Sequence, residues 1–211
     1  MKQLLKIAFL LAFIITQTTY GQTSIGISAG FNFSNNEFKN LNYITPKARK
    51  GFFIGVSPSI SLSKKINFVL NTQYSQDEYL YISNCLACNS IDLEYRNHYI
   101  DIMPEIEYKV LNFLIAGVGF NYGFLIDEDV KTGYDEWSDI EDISEKNNFG
   151  LTGKLKVMYK NFFGLVRYNL GLKNIMNQHF SNGEGDQFVD VKEYSRNLQV
   201  GVGYAFNVKK K

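Results

Sequence analysis

The most complete set of reactive residue types lies near the C-terminal end. His179-Phe180-Ser181-Asn182 is followed by Glu193, twelve positions after the serine. A hydroxyl nucleophile, an imidazole base and a carboxylate to orient it make a full hydrolytic set. A second cluster, Cys85-Leu86-Ala87-Cys88, pairs two thiols. It lacks the strand-to-helix setting of a thiol redox motif, and His98 alone does not complete a zinc set, so a small disulfide loop is the reading for an exported chain. A third stretch, residues 127–146, holds nine carboxylates against two lysines. Asp127-Glu128-Asp129 with Gly133 departs from a calcium loop, because Lys131 takes a ligand position and the glycine comes one place late. It reads as a solvated loop, with a weak divalent-cation bridge to lipopolysaccharide as the alternative. A fourth group, Asp101, Glu105, Glu107, Lys154, Lys156 and Arg167, mixes opposite charges at positions that alternate with apolar residues.

What must position these groups is a set of strands. Apolar residues recur at every second position in eight stretches, the mark of strands with one apolar face. Ile25, Ile27, Ala29, Phe31 and Phe33 open the series, and Leu198, Val200, Val202, Tyr204 and Phe206 close it. Between them lie stretches beginning near Gly51, Ile66, Ile100, Leu114, Phe149 and Phe162. The opposite faces carry Gly, Ser, Asn, Gln and the charges named above. Connectors alternate strictly: tight at 63–65, 109–110 and 160–161, long at 34–49, 76–91, 126–147 and 173–192. Short turns at one rim, long loops at the other and an even strand number describe an all-β, eight-stranded antiparallel up-and-down transmembrane β-barrel. Strands of about 10 residues suit a tilted bilayer crossing, and closure satisfies every backbone group in lipid.

The rival is a water-soluble barrel of lipocalin type. Such a barrel keeps apolar residues inside and charges outside. Here the apolar faces are almost free of charge, which points them at lipid. Aromatics gather at both ends of those faces: Tyr108, Tyr159, Phe162, Tyr204 and Phe206 near the turns, Phe33, Phe52, Tyr74, Phe124 and Phe149 near the loops. That matches two interfacial girdles. Pro58 and Pro104 fall inside strands and predict local bulges, since each removes a ladder hydrogen bond.

Composition agrees. With 14 Tyr, 17 Phe and one Trp, aromatics reach 15%, and 22 basic against 21 acidic residues leave +1. That balance offers no basic field for nucleic acid. Lys2 and Lys6, the apolar run Ile7–Ile15 and Thr19-Tyr20-Gly21 before Gln22 form an export signal over residues 1–21,. The expected domain plan is a cleaved signal peptide, 1–21, then one barrel over 22–211.

The strand patterns resemble the PorT-like outer-membrane β-barrel family of Gram-negative bacteria, a porin-family barrel domain. Tyr99-Ile100-Asp101-Ile102-Met103-Pro104, Ala116-Gly117-Val118-Gly119, the run from Arg167 to Ile175, and Gln199-Val200-Gly201-Val202-Gly203-Tyr204-Ala205-Phe206 carry the resemblance. It implies an eight-stranded barrel in the bacterial outer membrane, among outer-membrane lipid and lipopolysaccharide, with the barrel insertion machinery and other envelope proteins as partners. No cofactor is implied. Phe206 is followed by Asn207-Val208-Lys209-Lys210-Lys211, a departure from the terminal aromatic usual in assembly signals.

The His179, Ser181 and Glu193 pattern resembles that of lipid A 3-O-deacylases, themselves eight-stranded barrels. His179 stands 18 residues beyond the turn at Asn161, about 60 Å of strand at roughly 3.3 Å per residue. That lies far above an apolar band of about 25 Å, whereas a lipid hydrolase needs its serine at the headgroups. The reading is therefore a non-enzymatic barrel, structural or surface-binding through its long loops. Its lumen is plugged by the charged pairs, because a bore of eight strands is filled by its own side chains. A lipid A-active hydrolase and a small-solute pore are the alternatives.

Overall fold

The computed structural model describes residues 23–39, 44–83, 92–132, 137–139, 144–176, 180–181, 188–189 and 191–208. Eight long strands form the wall: β1 (Thr23–Lys39), β2 (Ile44–Ser61), β3 (Ile66–Ser83), β4 (Asp92–Lys109), β5 (Leu114–Thr132), β6 (Asn147–Tyr159), β7 (Phe162–Gly171) and β8 (Lys192–Val208). Each pairs antiparallel with its chain neighbours, and β1 closes the ring on β8 from Thr23↔Val208 to Lys39↔Lys192. No helix occurs among the described residues. Three two-residue strand pieces, at Ser138–Asp139, Phe180–Ser181 and Phe188–Val189, decorate the loop end.

Side-chain direction follows the alternation. Ile25, Ile27, Phe31 and Phe33 are exposed on the outer wall, while Asn32 and Ser34 between them are buried in the lumen. The outward apolar set gives way to polar residues at one height: Asn35 on β1, Lys50 on β2, Gln76 on β3, His98 on β4 and Arg196 on β8. That line marks the upper edge of the apolar band.

Three expectations need correction. The strands run well beyond that edge, 17 to 19 residues long in β1 to β5 and β8. Much of the stretches read as long loops is therefore wall, standing above the membrane. The lumen is also not wholly polar, because Val69, Met103, Ile115, Phe53, Phe163 and Leu165 are buried in it. Finally, Pro58 and Pro104 cause no register shift: Ile25↔Pro58 and Leu70↔Pro104 fit continuous ladders. On their other sides the pairs at 57–58 with β3 and at 103–104 with β5 drop out, but the register resumes unchanged. Both prolines sit on the outer face. The irregularities lie instead between Ala48 and Phe52 and between His98 and Tyr99, just above the apolar band.

Candidate functional site

The lumen holds the buried polar chemistry, and it divides into two halves. Near the turns, Phe53, Phe163 and Leu165 form an apolar cluster joined by Met158 and Ala205. Glycines on the facing strands make room for the rings. A methyl group on Gly203 would lie 2.2 Å from Phe163, and one on Gly201 would lie 2.6 Å from Phe53.

Against this cluster sits a chain of ion pairs. Glu105 and Glu107 are two residues apart on β4, so both face inward. Lys154 and Lys156 repeat that spacing on β6, across Gly117 and Gly119 of β5. The Lys154 ammonium donates to Glu105 and lies 2.8 Å from Glu107. The Lys156 ammonium donates to both Glu107 oxygens at 2.7 and 2.8 Å. Arg167 Nε stands 3.3 Å from Glu105, and its Nη1 donates to Gln73 and Gln199 at 3.0 Å each. Asp101 joins one step removed, accepting from Gln73 at 3.0 Å and Ser75 at 2.8 Å. Small residues on β5 let the charged arms meet: a methyl on Gly117 would lie 3.2 Å from Lys154 Cε.

The half nearer the loops is built differently. Asp77, Glu128 and Glu193 are buried there, and no buried Lys or Arg accompanies them among the described residues. Tyr81 and Asn36 both donate to the Glu193 carboxylate. Ser144 donates to Glu128 from its hydroxyl at 2.5 Å and its amide at 3.2 Å. Tyr79, Tyr81 and Tyr95 pack ring to ring at 5.0 to 5.6 Å, and Asn97 donates to Tyr79 and Tyr99. Burial pushes the Glu193 carboxyl up to about 7, against the hydrogen bonds it accepts, and Glu128 adds to the rise. Asp77 lies past the girdle residue Tyr74, between outward Gln76 and Glu78; burial and Asp101 likewise push it up to about 7. The tyrosine hydroxyls Tyr79 and Tyr81 are raised far above their usual range by the same burial.

Glu193 thus points into the lumen and is engaged by Tyr81 and Asn36. Ser181 is described only as backbone, paired with Phe188, and His179 lies outside the described residues. Cys85 and Cys88 also lie outside them. In the acidic stretch, no group of three or more His, Cys, Asp or Glu suited to a metal occurs among the described residues. Glu128, read as part of a solvated loop, is buried. The residues that the alternation did not single out are Phe53, Phe163, Asp77 and the tyrosine cluster. Phe53 and Phe163 each follow an outward phenylalanine, so the inward member of the pair was hidden behind its neighbour.

A family model described as "Outer membrane protein beta-barrel domain" matches residues 16–177. The chain belongs to that family. As an outer-membrane barrel it is similar in fold to OprG of Pseudomonas aeruginosa: 12% identity, TM-score 0.52, over 90% of this chain and 99% of that one. It also matches Ail, the attachment invasion locus protein of Yersinia pestis, at 12% identity and TM-score 0.44, over 88% of this chain and 99% of that one. The outer membrane protease OmpT of Escherichia coli matches at 10% identity and TM-score 0.44, over 88% and 97%. No curated protein matches in sequence. In such outer-membrane barrels the short turns face the periplasm and the long loops face outward, so the ion pairs stand in the inner half and the tyrosine–carboxylate layer in the outer half.

Proposed function

We propose that this outer-membrane barrel is a PorT-like, non-enzymatic surface protein. It is exported by a signal over residues 1–21 and closed along its bore, and it engages anionic lipopolysaccharide at the outer rim. The observation that carries this reading is the closure of the inner half: Lys154, Lys156, Arg167, Glu105 and Glu107 consume one another's charge beside the Phe53–Phe163–Leu165 cluster. Charges so paired offer a passing ion no uncompensated partner. Glu193, the carboxylate of the His179, Ser181 and Glu193 set, is already held by Tyr81 and Asn36.

The lipid partner is supported by the outer wall of β8, β1 and β2. It carries Lys50 at the edge of the apolar band and Lys39 higher on the wall, while Arg196 is paired to Glu37 at 2.7 Å. The Lys50 ammonium lies 3.7 Å over the Phe31 ring and Lys39 lies 5.0 Å over Tyr194. Cations seated on aromatic rings at and above the edge of the band suit phosphates at the outer rim. Two measurements test the proposal together. The folded protein in planar bilayers should conduct near background, and its expression should leave lipid A acylation unchanged, in the parent and in Ser181→Ala alike. Steady single-channel conductance would make it a pore; loss of an acyl chain that depends on Ser181 would make it a hydrolase.

A further inference from the structure

Around Asp77 the lumen presents a surplus of acceptor oxygens. Asn32 and Asn197 donate their side-chain amides to the same Asp77 Oδ1, at 3.0 and 2.7 Å. The Asn32 amide also donates to the carbonyls of Phe52 and Gln76. These bonds fix which way both carboxamides point. The oxygen of each lies roughly 2.2 Å from its own nitrogen, so both oxygens fall within about 5 Å of the Asp77 carboxyl. Neither has a hydrogen-bond partner among the described residues.

Two more acceptors join them. Asn97 is the register partner of Asp77 across β3 and β4, and inward pairs of this kind hold their Cβ atoms about 5 Å apart. Its amide goes to Tyr79 and Tyr99, which leaves Oδ1 unpartnered. The Ser34 hydroxyl lies by the same carboxyl, donates to it and keeps its lone pairs free. All four residues are at least nine-tenths buried, from Asn32 at 0% to Asn197 at 3% exposure. The nearest donor without a partner is Gln199 Nε2, on the register partner of Asn32. One amide cannot serve three carboxamide oxygens.

A buried acceptor left unserved costs about 1 to 3 kcal/mol, and here three carboxamide oxygens accompany a carboxylate with no buried Lys or Arg in its layer. Water would satisfy single oxygens but would leave the negative charge uncompensated. The oxygen set is hard and carries one formal charge, whereas tight calcium or magnesium sites gather several carboxylates. We propose that Asp77, with the carboxamide oxygens of Asn32, Asn97 and Asn197 and the Ser34 hydroxyl, binds a single alkali cation, sodium or potassium, in the outer half of the lumen. The ion takes the place that Lys154 and Arg167 fill in the inner half. This holds whether or not the rim binds lipopolysaccharide.

The test uses the full folded barrel in a non-ionic detergent at pH 8. Its thermal midpoint is followed in sodium or potassium chloride and in choline chloride of equal ionic strength. The parent midpoint should rise with the logarithm of alkali concentration and stay flat in choline, since a ligand that binds only the folded state stabilises it by mass action. Asp77→Asn should remove the alkali dependence, and Asn32→Leu should move it to higher concentration. A measurement needing no variant stands beside these: thallium(I), soaked into crystals of the parent protein, should give one anomalous peak beside Asp77. Identical midpoints in choline and alkali chloride, or a lumen without a thallium peak, would overturn the proposal and leave ordered water as the occupant.

Discussion

The two halves of the lumen solve one problem in different ways. Both bury carboxylates. In the inner half, Glu105 and Glu107 are neutralised by Lys154, Lys156 and Arg167, with ammonium and guanidinium groups within 3.3 Å. In the outer half, Asp77, Glu128 and Glu193 meet hydroxyls and amides instead. A carboxylate served by neutral donors alone keeps its charge uncompensated, so burial drives it towards the protonated form. The inner half is therefore held by charge that must stay. The outer half is held by acids whose charge can go.

The largest expected effect comes from breaking the inner network. Lys154 bridges Glu105 and Glu107 with its side chain 3% exposed and that of Glu105 0%. Removing one partner of a buried pair strands the other charge, at a cost of about 3 to 5 kcal/mol. Lys154→Ala should lower the urea midpoint of the folded barrel by about that free energy. Arg167→Ala combined with Glu105→Ala should cost less than the sum of the two single changes, because neighbours in one network do not add. Strictly additive losses would show that the pairs are separate and would weaken the plug.

A smaller and oppositely signed effect belongs to the outer half. The folded-state pKa of Glu193 is raised from 4.5 to about 7. The native state then binds more protons than the unfolded chain between those values, so the contribution is fully present below about pH 4.5 and is lost as pH rises through 7. Glu128 shifts in the same direction. The barrel should be more stable at pH 5 than at pH 8, by at most about 3 kcal/mol from Glu193. Glu193→Gln should remove its share of that dependence, leaving the share of Asp77, which is also raised to about 7. It should cost little at pH 8, since glutamine accepts from Tyr81 and Asn36 as the neutral acid does. A pH profile unchanged in Glu193→Gln would mean that Glu193 is already ionised or solvated.

The inner half was legible from the sequence and the outer half was not, for a physical reason. Glu105, Lys154 and Arg167 can be counted from tight turns along strands whose other face is apolar, so period two has contrast. Above the apolar band the outward residues become polar: Gln76 and Glu78 flank Asp77, and Lys192 and Tyr194 flank Glu193. With both faces polar the alternation disappears, and the same strands read as loops. The prolines misled in another way. Pro58 and Pro104 each lose a donor but sit on the outer face, and the ladders pass them without a shift.

The smallest expected effect isolates what burial contributes to an ion pair. Arg49 and Glu94 meet at 2.6 Å, comparable to the lumen contacts, yet their side chains are 45% and 32% exposed. At such exposure water and salt screen the attraction, and ordering two long side chains costs entropy, so the pair is worth about 0 to 1 kcal/mol. Arg49→Ala should shift the urea midpoint by no more than that, and the shift should vanish in concentrated salt. The Lys154→Ala loss should persist in the same salt if the inner half is closed to ions, as proposed. Equal salt sensitivity of the two variants would mean that solvent reaches the inner network, and the contrast between a sealed and an open pair would fail.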